Sequence, residues 1–379
     1  MFYWDMKTIE QILESLRQTL MQVPDVRRHS GNFQHKFNDI LTIAAITVVC
    51  GGGSFVDMET FGYAKEDWLK TFCDLEKGIP DSDTFRRVFE VLDPTGLGKY
   101  LRSVMKAHKK DGLYIAIDGK TMRRSGSRNK KPRHIVSAWG SEEKLSFGEV
   151  VVDEKSNEIT AIPELLEVVD YIGKIITIDA MGCQKAITDK IIDGKGDYVL
   201  AVKGNQSKLE NDIKIHFAEN KFKPQVVTTD KNHGRIEKRE YSLIDDAEYI
   251  RYINDENKWK GLKGFGKVHT TITKNGETTT EDRYFISSIT DPQKFAKAVR
   301  NHWSIENNLH WQLDVLMNED KATARKDNSP ACMNVIRKFA LELLQHVVLP
   351  HAPKASLRSK QFACKLNPEK YIKVNQKPA

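Results

Sequence analysis

Two apolar runs that each end in aspartate constrain the fold of this chain more than any other feature. Residues 113–118 and 175–179 have the length and β-branched content of buried strands, and they end in Asp118 and Asp179. The first run begins a series of three strand patterns, after which helix and strand patterns alternate, as in sheets with helices packed on them. Because ligands bind beyond the carboxyl ends of the strands in such sheets, we expect both aspartates to face one site.

The neighbouring segments complete a predicted ribonuclease H-like α/β core with a mixed sheet. Further strands are predicted at 134–139, 145–152 and 198–202, and helices at 159–169, 185–192 and from about 207 to 219. A β-rich insertion should follow, because Asn275-Gly276 between two threonine-rich runs is typical of a hairpin turn. Helical spacing resumes from 292 to 316 and again from 333 to 348.

The N-terminal third reads as a separate helical unit, with helices at 8–16, 38–49 and 84–92, the last capped by an aspartate or serine. Gly51-Gly-Gly53 lacks the lysine and hydroxyl residue of a phosphate-binding loop, so a hinge at the end of a helix is favoured. We therefore predict five segments: a helical N-terminal domain (1–105), the first part of the core (106–219), the β-rich insertion (220–288), the second part of the core (289–350) and a basic tail (351–379).

A third acid, Glu306, lies in the predicted helix 292–316 and joins Asp118 and Asp179 as a candidate metal ligand. Three carboxylates suit two Mg²⁺ ions, with Mn²⁺ as a substitute, and two such ions about 3.5–4 Å apart can promote in-line phosphoryl transfer. Each acid alone has a plainer interpretation, as a turn aspartate or a solvated helix glutamate. A zinc or iron site built from His302, Glu306 and His310 is a weaker alternative, because the spacing lacks a His-Glu-x-x-His turn.

Cationic and amide side chains follow the predicted strand ends and recur in the insertion, where they suit nucleic-acid phosphates. Trp259, between two lysines, either stacks on an unpaired base or packs into a small β-core. The candidate DNA-binding residues are Lys120, Arg123, Arg124, Lys203, Asn205, Gln206, Arg235, Trp259, Arg300, His302 and His310.

Composition restricts the environment in which the chain works. Its 379 residues carry a formal charge of +7, and the tail after Lys354 is rich in lysine, which suits nucleic acid or a solvated terminus. The five cysteines include no Cys-x-x-Cys pair, and the most apolar early stretch, 40–50, is too short to span a bilayer. These features predict a cytoplasmic protein with no membrane contact.

Several motifs together resemble the ISAs-type insertion-sequence transposases, which include the H-repeat-associated proteins linked to Rhs elements. The matching stretches run in order from about residue 30 to 345: GIPDSDTFRRVF (78–89), IDGKT (117–121), IDAMGCQ (178–184), VKGNQ (202–206), HGRIE (233–237) and HWSIENNLHWQLDV (302–315). The resemblance implies a DDE transposase with a ribonuclease H-like catalytic domain, a β-insertion before the last acid and an N-terminal associated domain. It also implies that Asp118, Asp179 and Glu306 form the metal-binding triad.

The chain departs from related cut-and-paste transposases around the last acid. Their tyrosine and arginine positions hold Val299 and His302 here, and their lysine position holds Leu313, so Arg300 or His310 are the candidates to replace those contacts. By this likeness the protein cleaves phosphodiesters at the element's ends and joins them to target DNA as a homodimer on DNA. A DNA-binding remnant without catalysis and a stand-alone metal-dependent nuclease are the alternative functions.

Overall fold

The computed structural model describes residues 9–27, 33–107, 111–126, 131–152, 157–220, 222–232, 234–255 and 258–372. The N-terminal part is helical as predicted, with α1 (Ile9–Leu20), α2 (Phe37–Val49), α3 (Phe55–Ala64), α4 (Glu66–Lys70), α5 (Ser82–Val91) and α6 (Pro94–Lys106). Asp81 caps α5, because its side chain accepts from the backbone N–H of Thr84, and the predicted cap is confirmed.

The strands and helices of the central part follow the predicted order closely. They are β1 (Tyr114–Thr121), β2 (His134–Gly140), β3 (Leu145–Val152), α7 (Glu158–Val168), β4 (Ile175–Ile178), α8 (Lys185–Asp193), β5 (Asp197–Val202), α9 (Ser207–Glu219), β6 (Val226–Asn232), β7 (Arg235–Ile244), α10 (Ala247–Ile253), β8 (Gly264–Lys274) and β9 (Glu277–Ser287). The hairpin between β8 and β9 turns at Asn275 and Gly276, both with positive φ, as predicted.

One mixed sheet of nine strands runs through the described residues in the order β3-β2-β1-β4-β5-β9-β8-β7-β6. Strands β1, β4 and β5 are parallel, whereas the other neighbours are antiparallel. The β-rich segment predicted as an insertion continues the core sheet, because β9 pairs with β5 from Val199↔Ser287 to Val202↔Tyr284. The pairing of β5 with β9 thus connects the β-rich segment to the strands that carry the two aspartates.

Alternate residues of β1 belong to the two faces of the sheet. Ile115 and Ile117 pack with α7, α8 and α9, whereas Tyr114 and Ala116 belong to cores on the opposite face. Asp118 and Lys120 continue the second series, so they point to the face covered by the C-terminal helices.

The C-terminal part consists of α11 (Pro292–Ile305), a π-helical turn (Glu306–His310), α12 (Trp311–Val315), α13 (Ser329–His346), α14 (Leu357–Leu366) and α15 (Pro368–Tyr371). Helix α13 is buried along nearly its whole length and shares one hydrophobic core with α1, α2, α5 and α6. The predicted N-terminal unit and the end of the core are therefore packed together. None of the described helices is long and apolar enough to span a bilayer.

Candidate active site

Three carboxylates reach one cavity from three different elements. Asp118 lies in β1, Asp179 directly follows β4, and Glu306 begins the π-helical turn after α11. Because β1 and β4 are parallel neighbours, with Ile117 opposite Ile178, their carboxyl ends present the two aspartates side by side. Both aspartates and Glu306 line a cavity of about 260 Å³.

His302 is the common neighbour of these three acids. Its Nδ1 lies 3.0 Å from Oγ1 of Thr177 on β4. Burial lowers the pKa of His302, against the opposing negative charges of Asp118, Asp179 and Glu306. All three carboxylates are thus close enough to act electrostatically on one imidazole.

His310 is a second histidine beside Asp118. Its Nδ1 is 3.4 Å from Oδ2 of Asp118, and its Nε2 is buried with no hydrogen-bond partner among the described residues. Although burial opposes the effect, His310 holds the pKa of Asp118 below its usual value. Asp118 therefore stays ionised and available as an oxygen ligand.

A π-helical turn aligns the helix residues that face this site. A step of four residues overshoots a full turn of an α-helix by about 40°, so a stripe at such spacing drifts around the helix. The wider turn from Glu306 to His310 corrects the drift. His302, Glu306 and His310 can thereby all face the sheet edge.

Asp179 is held by the loop that follows it. Its Oδ1 accepts from the backbone N–H of Met181, and Nδ2 of Asn205 donates to the carbonyl of Ala180 at 2.6 Å. Nε2 of Gln206 donates to the carbonyl of Cys183 at 2.9 Å. Asn205 and Gln206 were predicted from the sequence to bind DNA. In the structure, their side-chain amides hold the loop that follows Asp179.

The three carboxylates have the chemistry of a site for hard divalent cations, which prefer carboxylate oxygens. Asp179 and Glu306 are exposed and Asp118 is partly buried, so their oxygens are accessible from the cavity. In the described ranges, no three His, Cys, Asp or Glu residues are close enough to form a ready-made metal-binding group.

Lys120 corrects one expectation from the sequence. Its side chain is only 11% exposed, and its Nζ lies 2.6 Å from both Oδ1 of Asp314 and Oε2 of Glu319. A cation held by two carboxylates in a mostly buried position is not available to DNA phosphates. Lys120 is instead part of an internal ion-pair network.

Trp259 is a second correction, because its side chain is 4% exposed and belongs to the core that contains α8 and α9. An indole buried in this way cannot stack on a base, and the packing alternative considered for Trp259 is the one observed.

The other candidate cations are accessible but unequally distant from the acids. Lys203 lines the cavity itself. Arg123 and Arg124 are exposed beyond the end of β1, and Arg235 and Arg300 line a neighbouring cavity of about 310 Å³ on the β-rich extension.

Arg283 and Trp303 line both cavities, and sequence reasoning missed them. The guanidinium of Arg283 lies 5.1 Å from the centre of the Trp303 ring, and Nε and Nη2 of Arg283 donate to Glu281. The sequence offered one signal for Trp303, since it lies three residues before Glu306. No sequence pattern marked Arg283, because it reaches the acids only through the pairing of β9 with β5.

The comparisons with known proteins agree with these features. Residues 109–343 match the family model described as "Transposase DDE domain", and residues 17–105 match the model described as "DDE_Tnp_1-associated". "Putative transposase YncI" of Escherichia coli O157:H7 is 40% identical over 345 residues, which cover 88% of this chain and 88% of that protein. "H repeat-associated putative transposase YhhI" of Escherichia coli strain K12 is 39% identical over 363 residues, covering 92% and 94%. "Putative protein YbfL" of the same strain is 39% identical over 365 residues, with the same coverage.

Proposed function

Because this chain belongs to the DDE transposase family, we propose that it is the transposase of an insertion sequence. It cuts phosphodiesters at the ends of its element and transfers the freed strands to target DNA, in a reaction that depends on divalent metal ions. The observation that carries the proposal is the single cavity lined by Asp118, Asp179 and Glu306.

The proposal includes a ribonuclease H-like core. Its support is the sheet order β3-β2-β1-β4-β5, with three antiparallel strands followed by two parallel strands reached through α7 and α8. We assign residues 106–219 and 289–350 to this core, 220–288 to a β-rich extension, 1–105 to a transposase-associated domain and 351–379 to a basic tail.

Asp118, Asp179 and Glu306 would hold two Mg²⁺ ions, or Mn²⁺ in their place. Such ions supply an activated attacking oxygen and stabilise the leaving oxygen of an in-line displacement. Other residues would position the acids or offset negative charge. His310 and His302 lie beside Asp118, and Lys203 brings a positive charge to the cavity wall. The same site would serve cleavage and then attack by the freed 3′-hydroxyl. DNA is the partner, and two ends are paired most simply by a homodimer on DNA.

The decisive experiment incubates the purified protein and Mg²⁺ with labelled DNA that carries the inverted repeats flanking its own gene. The wild type is compared with Asp118→Asn, Asp179→Asn and Glu306→Gln, which keep side-chain size but remove charge. We expect cleavage at the repeat boundary by the wild type, no measurable cleavage by the three variants, and similar DNA binding by all four.

Asp170→Asn is the matched control, because Asp170 is an exposed acid before the opposite end of β4 and its ion pair is with the exposed Lys106. Binding without cleavage by the wild type would indicate a silent remnant. Cleavage without dependence on the repeats, and without strand transfer, would indicate a nuclease. Full cleavage by the three acid variants would refute the assigned site.

A further inference from the structure

The side chains that follow Asp118 and Glu306 form a second set of contacts between the strand and the helix. Asp118 and Lys120 are two residues apart on one face of β1, a spacing of about 6.6 Å along a strand. His310 and Asp314 are four residues apart on the facing helix, a spacing of about 6 Å. The two spacings match, and the contacts are Asp118 with His310 at 3.4 Å and Lys120 with Asp314 at 2.6 Å.

These contacts favour the observed register of the helix against the strand over a slip of one helical turn in either direction. A slip of one helical turn in one direction would bring Asp118 against Asp314, and a slip in the other would bring Asp118 against Glu306. Both alternatives put two carboxylates together, and the second also puts Lys120 against His310. The observed register alone gives Asp118 and Lys120 complementary partners.

Lys120 is anchored further by Glu319, which is 2% exposed. Oε2 of Glu319 is 2.6 Å from Nζ of Lys120, and its Oε1 accepts from Nδ2 of Asn334 at 2.7 Å. Nη1 of Arg337 lies 3.8 Å from the same Oε1, and Nη2 of Arg337 donates to the carbonyl of Gly53 at 3.4 Å. The network therefore joins β1 to α13 and, through α13, to the N-terminal helices.

Apolar side chains would fill this position at a lower desolvation cost, because a buried ion pair is often no more stabilising than hydrophobic packing of the same volume. Buried ionic groups are best attested as devices that select one register. The position of the network, two residues from one candidate metal ligand and eight to thirteen residues from another, fits that role.

We propose that Lys120, held by Asp314 and Glu319, is a positioning residue that fixes the register of the Glu306 helix against β1 and so sets the spacing between Asp118 and Glu306. The part of this inference that concerns the metal rests on the proposed function. The part that concerns the register does not.

The test compares Lys120→Met, Glu319→Gln and the double variant K120M/E319Q with the wild-type full-length chain. Lys120→Met alone leaves the buried Glu319 with Arg337, at 3.8 Å, in place of Lys120 at 2.6 Å, and is expected to lower stability. The double variant removes both charges of the pair but leaves the buried Arg337 without its carboxylate neighbour, so it should regain only part of the lost melting temperature. The matched control is K174M/E143Q, which removes another buried lysine–glutamate pair, 3.9 Å apart, just before the start of β4 and so at the end opposite Asp179.

The first readout is hydrogen exchange without metal. If Lys120 fixes the register, amides of residues 305–316 in the double variant exchange at least 10-fold faster than in the wild type, while those of α8 and α9 are unchanged. The control variant should leave residues 305–316 protected. Unchanged protection of this segment in the double variant overturns the proposal.

The second readout is Mn²⁺ binding, measured by the paramagnetic resonance signal of the free ion. Loss of a residue that orients metal ligands typically weakens metal binding by about 10–100-fold, and we expect that range for the double variant. Wild-type affinity in the double variant would overturn the proposal. Equal Mn²⁺ binding by the wild type and Asp118→Asn would refute the proposed metal site instead, and hydrogen exchange would still decide the register.

Discussion

Two sets of basic side chains surround the acids of the candidate site. His302 and His310 lie beside the acids, while the exposed Lys203 and the half-buried Arg283 line the wall of the cavity. Buried groups next to Asp118 tune and orient it, whereas accessible cations are the ones that can meet a DNA phosphate. The two sets should therefore respond differently to substitution.

Replacing Arg283 by alanine should weaken binding of DNA of any sequence. The guanidinium lies on Trp303 between two cavities, and a lost phosphate contact lowers the slope of log affinity against log salt by about 1. Fluorescence anisotropy over a series of salt concentrations measures both quantities. Arg251→Ala, at an exposed position of α10, is the control, and an unchanged slope in Arg283→Ala would argue against a phosphate contact.

The imidazole of His216 should make stability depend on pH. Burial lowers the pKa of His216 from 6.5, and its ring lies 3.7 Å from the ring of Tyr249, centre to centre. The unfolded chain therefore takes up a proton as the pH falls through about 6.5 and the folded chain does not, so the stabilising contribution is present above 6.5 and is lost below it.

Melting temperatures measured between pH 7.5 and 5.5 test this prediction. The wild type should melt at lower temperature as the pH falls, and His216→Phe should show a shallower decline because it cannot be protonated. Identical slopes for the two proteins would mean that His216 is protonated equally in the folded and unfolded chains.

Whole elements, rather than single groups, bring the third acid to the sheet. Helix α11 starts at a fixed point, because Oδ1 of Asp291 accepts from the backbone N–H groups of Gln293 and Lys294 and Pro292 occupies the first turn. Fourteen residues later the π-helical turn delivers Glu306.

Asp291→Ala should lower the free energy of unfolding by about 1 kcal/mol, since an N-cap is lost at the start of α11. Denaturant titration measures the change. Asp245→Ala, at an exposed aspartate next to the residue that caps α10, should have almost no effect. A loss below about 0.3 kcal/mol in Asp291→Ala would show that packing alone fixes the start of the helix.

Local patterns in the sequence were sufficient to predict most of these elements. The strands 145–152 and 198–202 and the hairpin at Asn275 were readable because short runs rich in apolar residues, and the turn residues between such runs, act over a few neighbours. The π-helical turn could not be predicted, because one extra residue in a single turn leaves a sequence pattern that looks like that of an uninterrupted α-helix. The burial of Lys120 and the approach of Arg283 depend on tertiary packing, and no local pattern encodes them.

At the scale of the whole molecule, one hydrophobic core crosses the predicted domain boundary. Ile40, Phe85 and Leu101 of the N-terminal helices are buried in the same core as Phe339 and Leu343 of α13. The Lys120 network ends in the same helix, at Asn334 and Arg337. The N-terminal helices thus support the element that anchors the candidate site.

A chain that begins at residue 106 should consequently fail to fold. Removing α1 to α6 would expose one side of α13, and each large apolar side chain that becomes exposed costs about 1.5–3 kcal/mol, against a typical total stability of about 5–15 kcal/mol. Six such side chains, among them Phe339 and Leu343, would cost about 9–18 kcal/mol, which is as large as that total. We expect residues 106–379 to be insoluble or to lack a cooperative thermal transition, whereas the full chain melts in a single step with the same midpoint by circular dichroism and tryptophan fluorescence.

Phe339→Ala should lower the unfolding free energy of the full chain by about 3–5 kcal/mol and should therefore lower its one melting midpoint. Val348→Ala, at a residue 62% exposed just after the same helix, should leave that midpoint unchanged. Two separate transitions in the full chain, of which Phe339→Ala shifts only one, would mean that the two parts fold independently and that the N-terminal helices do not support the site.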